Sequence, residues 1–281
     1  MNSPPRRRAR TGWRSAAAPT LAALALVLAG CASTTPGGVP IDTRHSARAQ
    51  DSRVLFLVLH YTVGNFESSL RTLTEGEVSS HYLLSDASPP RIYRLVDEDR
   101  RAWHAGNSAW QGHRQVNASS IGIEIVNPGP RWGSGGRYYM PFPDAQIDAL
   151  IPLVRDIVQR HGIRGDRIVG HSDVQPQSKF DPGPMFPWKR LADAGLIPWP
   201  DAAQVAAQRA VFEFLLPDVA WFQQRLARHG FELPQHGELD AATRNVIAAF
   251  QMKYRPARFD GLPDAETAAL LQVLTDNALP P

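Results

Sequence analysis

The chain has 281 residues, of which 43% are hydrophobic and 20% are charged. This composition is typical of a globular protein, and the length is sufficient for two domains. The formal net charge of +3 would favour nucleic-acid binding, but five arginines lie before residue 15 and no acidic residue precedes Asp42. Without those arginines, 25 basic residues remain against 27 acidic ones, a net charge near −2. We therefore expect no nucleic-acid partner.

The first 30 residues have the pattern of a bacterial export signal. Their arginine-rich start is followed by an apolar run at residues 16–28, which is too short to span a bilayer comfortably. The sequence Leu28-Ala29-Gly30-Cys31 looks like a lipobox, and Cys31 is the only cysteine. We predict a lipoprotein signal peptide at residues 1–30 and a lipid anchor on Cys31. The alternative is an ordinary signal, or a membrane anchor with a chance cysteine.

The residues after Cys31 predict where the chain is held. Ala32 follows the cysteine, and by resemblance to other lipoproteins an alanine there favours the outer membrane over the inner one. Residues 31–50 are rich in Ser, Thr, Pro and Gly, which predicts a flexible tether. The expected location is the periplasmic side of the outer membrane.

Residues 51–200 combine strand and helix signals, which predicts a first domain of the α/β class. A continuous apolar run ends at His60 and is typical of a strand buried on both faces. In the run that ends at Ile125, the isoleucines share one face and Gly122 shares the other with Glu124. The predicted elements are strands at 54–60, 80–84, 92–96, 121–125 and 167–169, a short helix capped by Asn65, a mobile loop at 128–139, and a helix at 144–160 that Gly162 ends.

Helical periodicity dominates after Pro198-Trp199-Pro200-Asp201, which marks the predicted domain boundary. An internal repeat runs through this part: Gly237-x-x-Asp240-x-x-Thr243 recurs as Gly261-x-x-Asp264-x-x-Thr267. Each aspartate is a plausible helix N-cap that follows a glycine turn. We predict a small all-α, three-helix domain at residues 205–281. Helical periodicity marks four segments in this range, one more than that three-helix count: 205–214, 219–229, 241–254 and 265–275.

The segment from Gly170 to Pro184 collects the residues with the clearest chemistry. It holds His171, Lys179 and Asp181 among glycines and prolines. Histidine and aspartate are zinc ligands, and a nearby lysine can stabilise an oxyanion. His60 at the end of another strand can supply the third protein ligand that a catalytic zinc usually has, with one position left for a water that the metal activates. The sequence therefore predicts a hydrolytic zinc site.

Such a site also needs a general base. Glu124 is the best candidate, because it lies on a strand and faces away from the isoleucines. Ordinary structural roles remain open for each residue taken singly. His60 could be a packed histidine, Glu124 a solvated strand residue, and Lys179 with Asp181 a surface ion pair.

Six motifs, in the order of a known family, cover roughly residues 52–200. Together they resemble the type-2 N-acetylmuramoyl-L-alanine amidases, a zinc amidase fold shared with animal peptidoglycan recognition proteins. With the lipobox, the chain looks like the outer-membrane lipoprotein members of that family. The motifs are Leu59-His60-Tyr61-Thr62, Ser80-His81-Tyr82, Arg101-Ala102-Trp103-His104-Ala105-Gly106, Ser120-Ile121-Gly122-Ile123-Glu124, Gly170-His171-Ser172-Asp173 and Lys179-x-Asp181-Pro182-Gly183-Pro184.

The resemblance implies an α/β fold with a mixed central β-sheet flanked by helices. It also implies that His60, His171 and Asp181 bind Zn²⁺. Glu124 and Lys179 would then be the catalytic pair, with Glu124 as general base and Lys179 stabilising the oxyanion.

Three further positions are interpreted through the same resemblance. His104 belongs to a segment that lines the substrate groove in relatives, so we expect it to bind substrate; a packing role is the alternative. His81 is expected to be structural. Ser80 stands where some phage members have a catalytic tyrosine, which increases the importance of Glu124.

The C-terminal helices resemble the type-1 peptidoglycan-binding domain, with a plain helical bundle as the alternative. The predicted function is zinc-dependent hydrolysis of the amide between the lactyl group of N-acetylmuramic acid and L-Ala of the stem peptide. The predicted partners are peptidoglycan, muropeptides and the membrane. Two alternatives stay open: a non-catalytic recognition module, whose members typically lack a zinc ligand, and a zinc peptidase that cuts within the stem peptide.

Overall fold

The computed structural model of the chain describes Met1, residues 32–35 and residues 37–276. These residues belong to two compact units that divide between Asp51 and Ser52. In the first unit, β1 (Ala32–Thr34) pairs with β2 (Pro40–Asp42) in antiparallel fashion, where the sequence predicts a tether without regular structure. Cys31 and residues 2–30 of the predicted signal lie outside the described residues. Among the helices that are described, none has the length and apolarity needed to cross a membrane.

The second unit contains every element that positions the candidate site. Its strands are β3 (Phe56–Tyr61), β4 (Tyr82–Leu84), β5 (Ile92–Arg94), β6 (Ala109–Trp110), β7 (His113–Arg114), β8 (Ser120–Ile125), β9 (Pro130–Gly133), β10 (Gly136–Tyr139) and β11 (Ile168–Gly170). Its α-helices are α1 (Phe66–Glu75), α2 (Asp144–His161), α3 (His171–Val174), α4 (Trp188–Asp193), α5 (Ala202–Phe214), α6 (Val219–His229), α7 (Ala241–Tyr254) and α8 (Ala265–Asp276). The bounds of α6 and α7 are those that the periodicity predicts.

Five strands form a mixed sheet in the order β11-β3-β8-β4-β5. The first four run parallel to one another, and β5 is antiparallel to β4. The apolar run from Phe56 to Leu59 is fully buried, as expected of a parallel strand that is covered on both faces. The predicted mixed central sheet is therefore confirmed. In the register of β3 with β8, His60 lies opposite Glu124.

Helix α2 covers one face of this sheet. The isoleucines of β8 belong to the same buried cluster as Ile147, Leu150 and Val154 of the helix. Pro152 lies inside α2 and does not end it. Gly162 ends the helix with a φ of 67°, a left-handed conformation that glycine adopts without strain.

The C-terminal helices cover the opposite face. Phe56 and Val58 of β3 lie in one buried cluster with Phe222 of α6 and with Val246 and Phe250 of α7. The predicted sheet with helices on both sides is confirmed. The division into domains at 51–200 and 205–281 stays a prediction, because a shared core joins the residues on both sides of that boundary.

The internal repeat builds two similar buried networks. Asp240 and Asp264 accept hydrogen bonds from the backbone N–H groups of Thr243 and Thr267, three residues later, so both predicted caps are present. A glutamine completes each network. The Gln251 side chain accepts from Gly261 N–H at 2.9 Å and donates to Thr267 Oγ1 at 3.0 Å; Gln223 does the same with Gly237 and Thr243. The repeated motif therefore has a structural role in the fold.

Regular structure is present in the predicted loop at 128–139 and at the start of the segment from Gly170 to Pro184. The segment 128–139 holds the antiparallel hairpin β9–β10, so the loop prediction was wrong there. Its turn is short because Gly136 adopts a φ of 98°. His171 is the first residue of helix α3 and does not enter an extended loop.

Candidate metal centre

Three potential ligand atoms converge at the carboxyl ends of neighbouring parallel strands. His60 is near the end of β3, and His171 directly follows β11, which pairs with β3. His60 Nδ1 lies 3.0 Å from His171 Nδ1 and 2.9 Å from Asp181 Oδ2. The distance from His171 Nδ1 to Asp181 Oδ2 is 3.1 Å. Among the described residues, these three form the group of side chains that could hold a metal ion.

Local contacts explain how Asp181 reaches the two histidines. The backbone N–H of Ser172 donates to the carbonyl oxygen of Asp181 at 2.8 Å, which ties the segments that carry the second and third ligands. Gly170 permits this approach, because a Cβ atom at that position would lie 2.7 Å from Pro182 Cδ and 3.3 Å from Trp188 Cζ2. The glycine at the end of β11 is therefore a steric requirement of the site.

The other ring nitrogens of the two histidines also have partners. His60 Nε2 lies 3.1 Å from His104 Nδ1, and His104 Nε2 lies 3.1 Å from Ser120 Oγ. His171 Nε2 lies 3.1 Å from Gln175 Oε1. One set of tautomers satisfies all three contacts, with the proton on Nε2 of each ring. That assignment leaves Nδ1 of His60 and His171 unprotonated and directed at Asp181, which is the arrangement of metal-binding histidines.

Without a metal ion, the histidine rings can instead donate from Nδ1 to Asp181, and this pairing influences the charge of the carboxyl group. Burial, followed by the nearby charge of His171, lowers the pKa of His60 to about 4. Burial alone would raise the pKa of Asp181, but the positive charge of His171 and the hydrogen bonds from both histidines hold it well below its usual value. At neutral pH the site therefore offers a neutral imidazole on His60 and a carboxylate on Asp181, the donor forms that bind a metal.

The donor set fits a zinc ion. Two ligand atoms that are each about 2.1 Å from a tetrahedral ion lie about 3.4 Å apart, and the three separations here are 2.9–3.1 Å. Two imidazoles and one carboxylate are ligands that zinc accepts, and three protein ligands leave a coordination position open.

Glu124 lies beside this centre on β8. Its Oε2 atom is inaccessible to solvent and has no hydrogen-bond partner in the part of the chain that the structure describes. Burial, and then the negative charge of Asp181, raises the pKa of Glu124 to about 8, whereas the charge of Lys179 lowers it. An unpaired carboxyl with a raised pKa next to a metal-ligand cluster has the properties of an acid–base group.

Lys179 is half-buried and lies two residues before Asp181. Its charge lowers the pKa of both His60 and Glu124. Its Nζ forms no hydrogen bond or ion pair with any described residue. The structure therefore brings Lys179, predicted from sequence, to the same site as Glu124 and the three candidate ligands.

His104 lies behind His60, on the side away from Asp181. It is buried, and its ring nitrogens contact His60 and Ser120. A Cβ atom on Gly122 would lie 2.6 Å from His104 Cγ, so the ring packs directly on strand β8. These contacts favour a role for His104 in supporting the His60 ring over a role in binding substrate. The substrate-binding role of His104 stays a prediction.

The remaining candidates have simpler surroundings. His81 is fully buried; its Nδ1 accepts from Gly122 N–H and its Nε2 donates to the Arg100 carbonyl, as a structural role requires. Ser80 Oγ is buried without a partner. Cys31 lies outside the described residues.

The structure adds three residues that the sequence did not single out. Ser120 and Gln175 contact His104 and His171, and Asn117 Oδ1 accepts from the backbone N–H groups at 104 and 105. Ser120 begins the strand that carries Glu124, and Gln175 is one helical turn after His171. Those positions are signals that could have identified Ser120 and Gln175; we see none for Asn117.

Comparison with known proteins identifies the family. A family model for N-acetylmuramoyl-L-alanine amidase matches residues 50–184, and one for a peptidoglycan-binding domain matches residues 216–271. The N-acetylmuramoyl-L-alanine amidase AmiD of Escherichia coli is 45% identical over 266 residues, which are 91% of this chain and 96% of AmiD. This chain belongs to the N-acetylmuramoyl-L-alanine amidase family. It is therefore an enzyme, and the predicted family and amidase activity are confirmed.

Solved structures agree with the sequence comparison. The E. coli AmiD structure superposes with a TM-score of 0.77 at 42% identity, covering 86% of this chain and 96% of the other. AmpDh3 from Pseudomonas aeruginosa gives a TM-score of 0.77 at 38% identity, covering 84% and 97%. The amidase fold and the C-terminal helical region are thus common to this chain and these two amidases.

Proposed function

We propose that this amidase hydrolyses the bond between the lactyl group of N-acetylmuramic acid and L-Ala of the peptidoglycan stem peptide, with zinc held by His60, His171 and Asp181. The observation that carries the proposal is the convergence of these three donors beside the unpaired carboxyl oxygen of Glu124. A bound zinc ion would supply Lewis-acid activation of the attacking water and of the scissile carbonyl.

The chain's own residues then have separate roles. Glu124 takes a proton from the attacking water and later gives it to the leaving amine. The field of a bound cation and of Lys179 favours the carboxylate form, so metal loading lowers the pKa of Glu124 from its raised value. The ammonium group of Lys179, which has no partner among the described residues, stabilises the negative charge that develops on the substrate oxygen.

The substrate range follows from the relatives. The AmiD structure holds the substrate anhydro-N-acetylmuramic acid-L-Ala-D-γ-Glu-L-Lys, and an AmpDh3 structure holds an anhydromuramic pentapeptide. We infer that this chain hydrolyses anhydromuramyl peptides as well as intact peptidoglycan. Its C-terminal region would bind the intact peptidoglycan. We further propose that a lipid on Cys31 holds it on the periplasmic side of the outer membrane; mass spectrometry of the membrane fraction from cells that carry the wild type or Cys31→Ser tests this.

The decisive experiment is digestion of purified sacculi, followed by mass spectrometry of the soluble products. The wild type should release free stem peptides, and a chelator should abolish the release until zinc is restored. Glu124→Gln and Lys179→Met should each lower kcat by about 10²–10³-fold. Lys189→Met is the matched control, because Lys189 is exposed and pairs only with Asp193 four residues later.

Three outcomes would contradict the proposal. Full activity in both Glu124→Gln and Lys179→Met would refute the assigned mechanism. Products cut within the stem peptide would identify a peptidase. Binding of sacculi without hydrolysis, by a protein that carries no zinc, would identify a recognition module.

A further inference from the structure

A buried ion pair joins the C-terminal helices to the segment that carries the second candidate ligand. Lys253 is in the last turn of α7, and its Nζ donates to Asp173 Oδ2 at 2.9 Å. The same Nζ lies 3.4 Å from the carbonyl oxygen of Ile168. Lys253 is only 7% exposed and Asp173 only 2%. A lysine of the peptidoglycan-binding region is thus inserted into the amidase region.

Asp173 transmits this contact to the metal centre. Its Oδ2 also accepts a hydrogen bond from the backbone N–H of Gly170 at 2.9 Å. One carboxylate oxygen therefore binds both the ammonium group of Lys253 and the backbone of the residue before His171. Two residues further on, the backbone N–H of Ser172 donates to the carbonyl oxygen of Asp181. Lys253 therefore fixes the short turn from which His171 projects and to which Asp181 is tied.

The surroundings of Lys253 make this contact specific. The ammonium group lies 4.3 Å from the centre of the Trp188 ring, and Asp173 is its one acidic partner among the described residues. A buried lysine with a single counter-charge holds that partner strongly, because neither group can be solvated if they separate.

A second set of contacts keeps α7 in register with the amidase region. Gly230, which follows α6, is packed so closely that a Cβ atom there would lie 2.7 Å from Trp110 Cε2. Its carbonyl accepts from Gln111 N–H at 2.8 Å. On the other side, Asn245 of α7 donates to Gln177 Oε1 at 3.0 Å. The helix that carries Lys253 is therefore tied to the amidase region at Asn245 as well, and the end of the neighbouring α6 is held at Gly230.

We propose that Lys253 is a positioning residue of the amidase site: through Asp173 it orients His171 toward the metal, so that the C-terminal region completes the catalytic centre in addition to any binding of cell wall. The proposal rests on the zinc site of the proposed function.

The test uses the full chain with Lys253→Met, and Lys189→Met as the surface control. Zinc affinity is measured by competition with a chromophoric chelator, and ligand geometry by the visible absorption of the Co²⁺-substituted protein. Lys253→Met should bind zinc about 10–100-fold more weakly, and its Co²⁺ absorption bands should shift. Its kcat on a muropeptide should fall while its KM and its binding to sacculi stay unchanged. Lys189→Met should match the wild type in every measurement.

A second variant separates positioning from folding. Lys253→Met leaves Asp173 buried without a counter-charge, so it is compared with Asp173→Asn/Lys253→Met, which removes both charges and keeps an acceptor for Gly170 N–H. The double variant should fold and should still show weakened zinc binding and shifted Co²⁺ bands. Wild-type zinc affinity and Co²⁺ bands in either folded variant would overturn the proposal, as would failure of both variants to fold. If the wild type itself binds no zinc, the proposed function fails instead.

Discussion

A single methyl group added to strand β8 tests how the candidate ligand His60 is supported. Gly122 lies on the face of β8 that meets the His104 ring, and its own N–H donates to His81 Nδ1 at 3.0 Å. In Gly122→Ala the new Cβ would lie 2.6 Å from His104 Cγ, 2.7 Å from Nδ1 and 2.8 Å from Cδ2. The His104 ring must therefore move away from the strand.

The size of the effect follows from what holds that ring. His104 is buried and bonded to both His60 and Ser120, so movement away from β8 strains both hydrogen bonds. Overpacking of this kind typically costs about 1–3 kcal/mol of unfolding free energy. Loss of the hydrogen bond that orients a metal-binding histidine typically weakens metal binding about 10–100-fold. We expect both effects in Gly122→Ala.

Urea denaturation of the metal-free protein and zinc titration against a chelator measure the two effects separately. Gly135→Ala is the matched control, because a Cβ atom at Gly135 meets nothing within 4 Å. If Gly122→Ala keeps wild-type stability and zinc affinity, the His104 ring does not occupy the place described between β8 and His60. A loss of stability without a loss of zinc affinity would refute the role of His104 in orienting His60.

Two further predictions concern the C-terminal helices. Burial, and then the charge of Lys253, lowers the pKa of His229 to about 3. In the unfolded chain the same imidazole binds a proton near pH 6.5. The folded protein therefore loses stability as the pH falls from about 6.5 toward 3. Between about pH 7 and pH 4 the wild type should lose about 1–3 kcal/mol more than His229→Gln; equal losses in urea denaturation would contradict this. Gln251→Leu leaves the N–H of Gly261 without its acceptor and should lower the unfolding free energy by about 1–3 kcal/mol. Gln224→Leu, at an exposed position, should have little effect, and thermal melting of the two variants measures the difference.

Local patterns predicted most of the secondary structure. Helices α6 and α7 have the bounds that their apolar periodicity and aspartate caps indicate, because those signals lie within the helix itself. The hairpin at 130–139 was missed because glycines and aromatic residues are compatible with both a loop and a tight antiparallel pair. Pairing of two short strands depends on register, which composition does not encode.

The part of the candidate site that the ends of parallel strands position could be predicted from the sequence. Side chains at the carboxyl ends of β3 and β11 must meet at one edge of the sheet, so a histidine after each strand is a detectable signal. The partners of those histidines are not detectable in this way. His104 and Ser120 are linked to His60 only through ring orientation and packing across the sheet.

Because packing contacts cannot be detected in the sequence, the sequence indicates a clearer boundary between two domains than the structure shows. Boundary prolines and a helical repeat indicate a separate C-terminal module, and the family models also treat it as one. Yet Lys253 and Asp173 look like ordinary charged residues until packing buries them together. Breaking such a buried pair by removing one partner costs about 3–5 kcal/mol. Removing the C-terminal helices would also uncover Phe56 and Val58 on strand β3. The amidase region of this chain therefore depends on its C-terminal helices for a covered sheet and for the anchor beneath His171, so an isolated fragment of residues 52–200 should be less stable and bind zinc more weakly than the full chain.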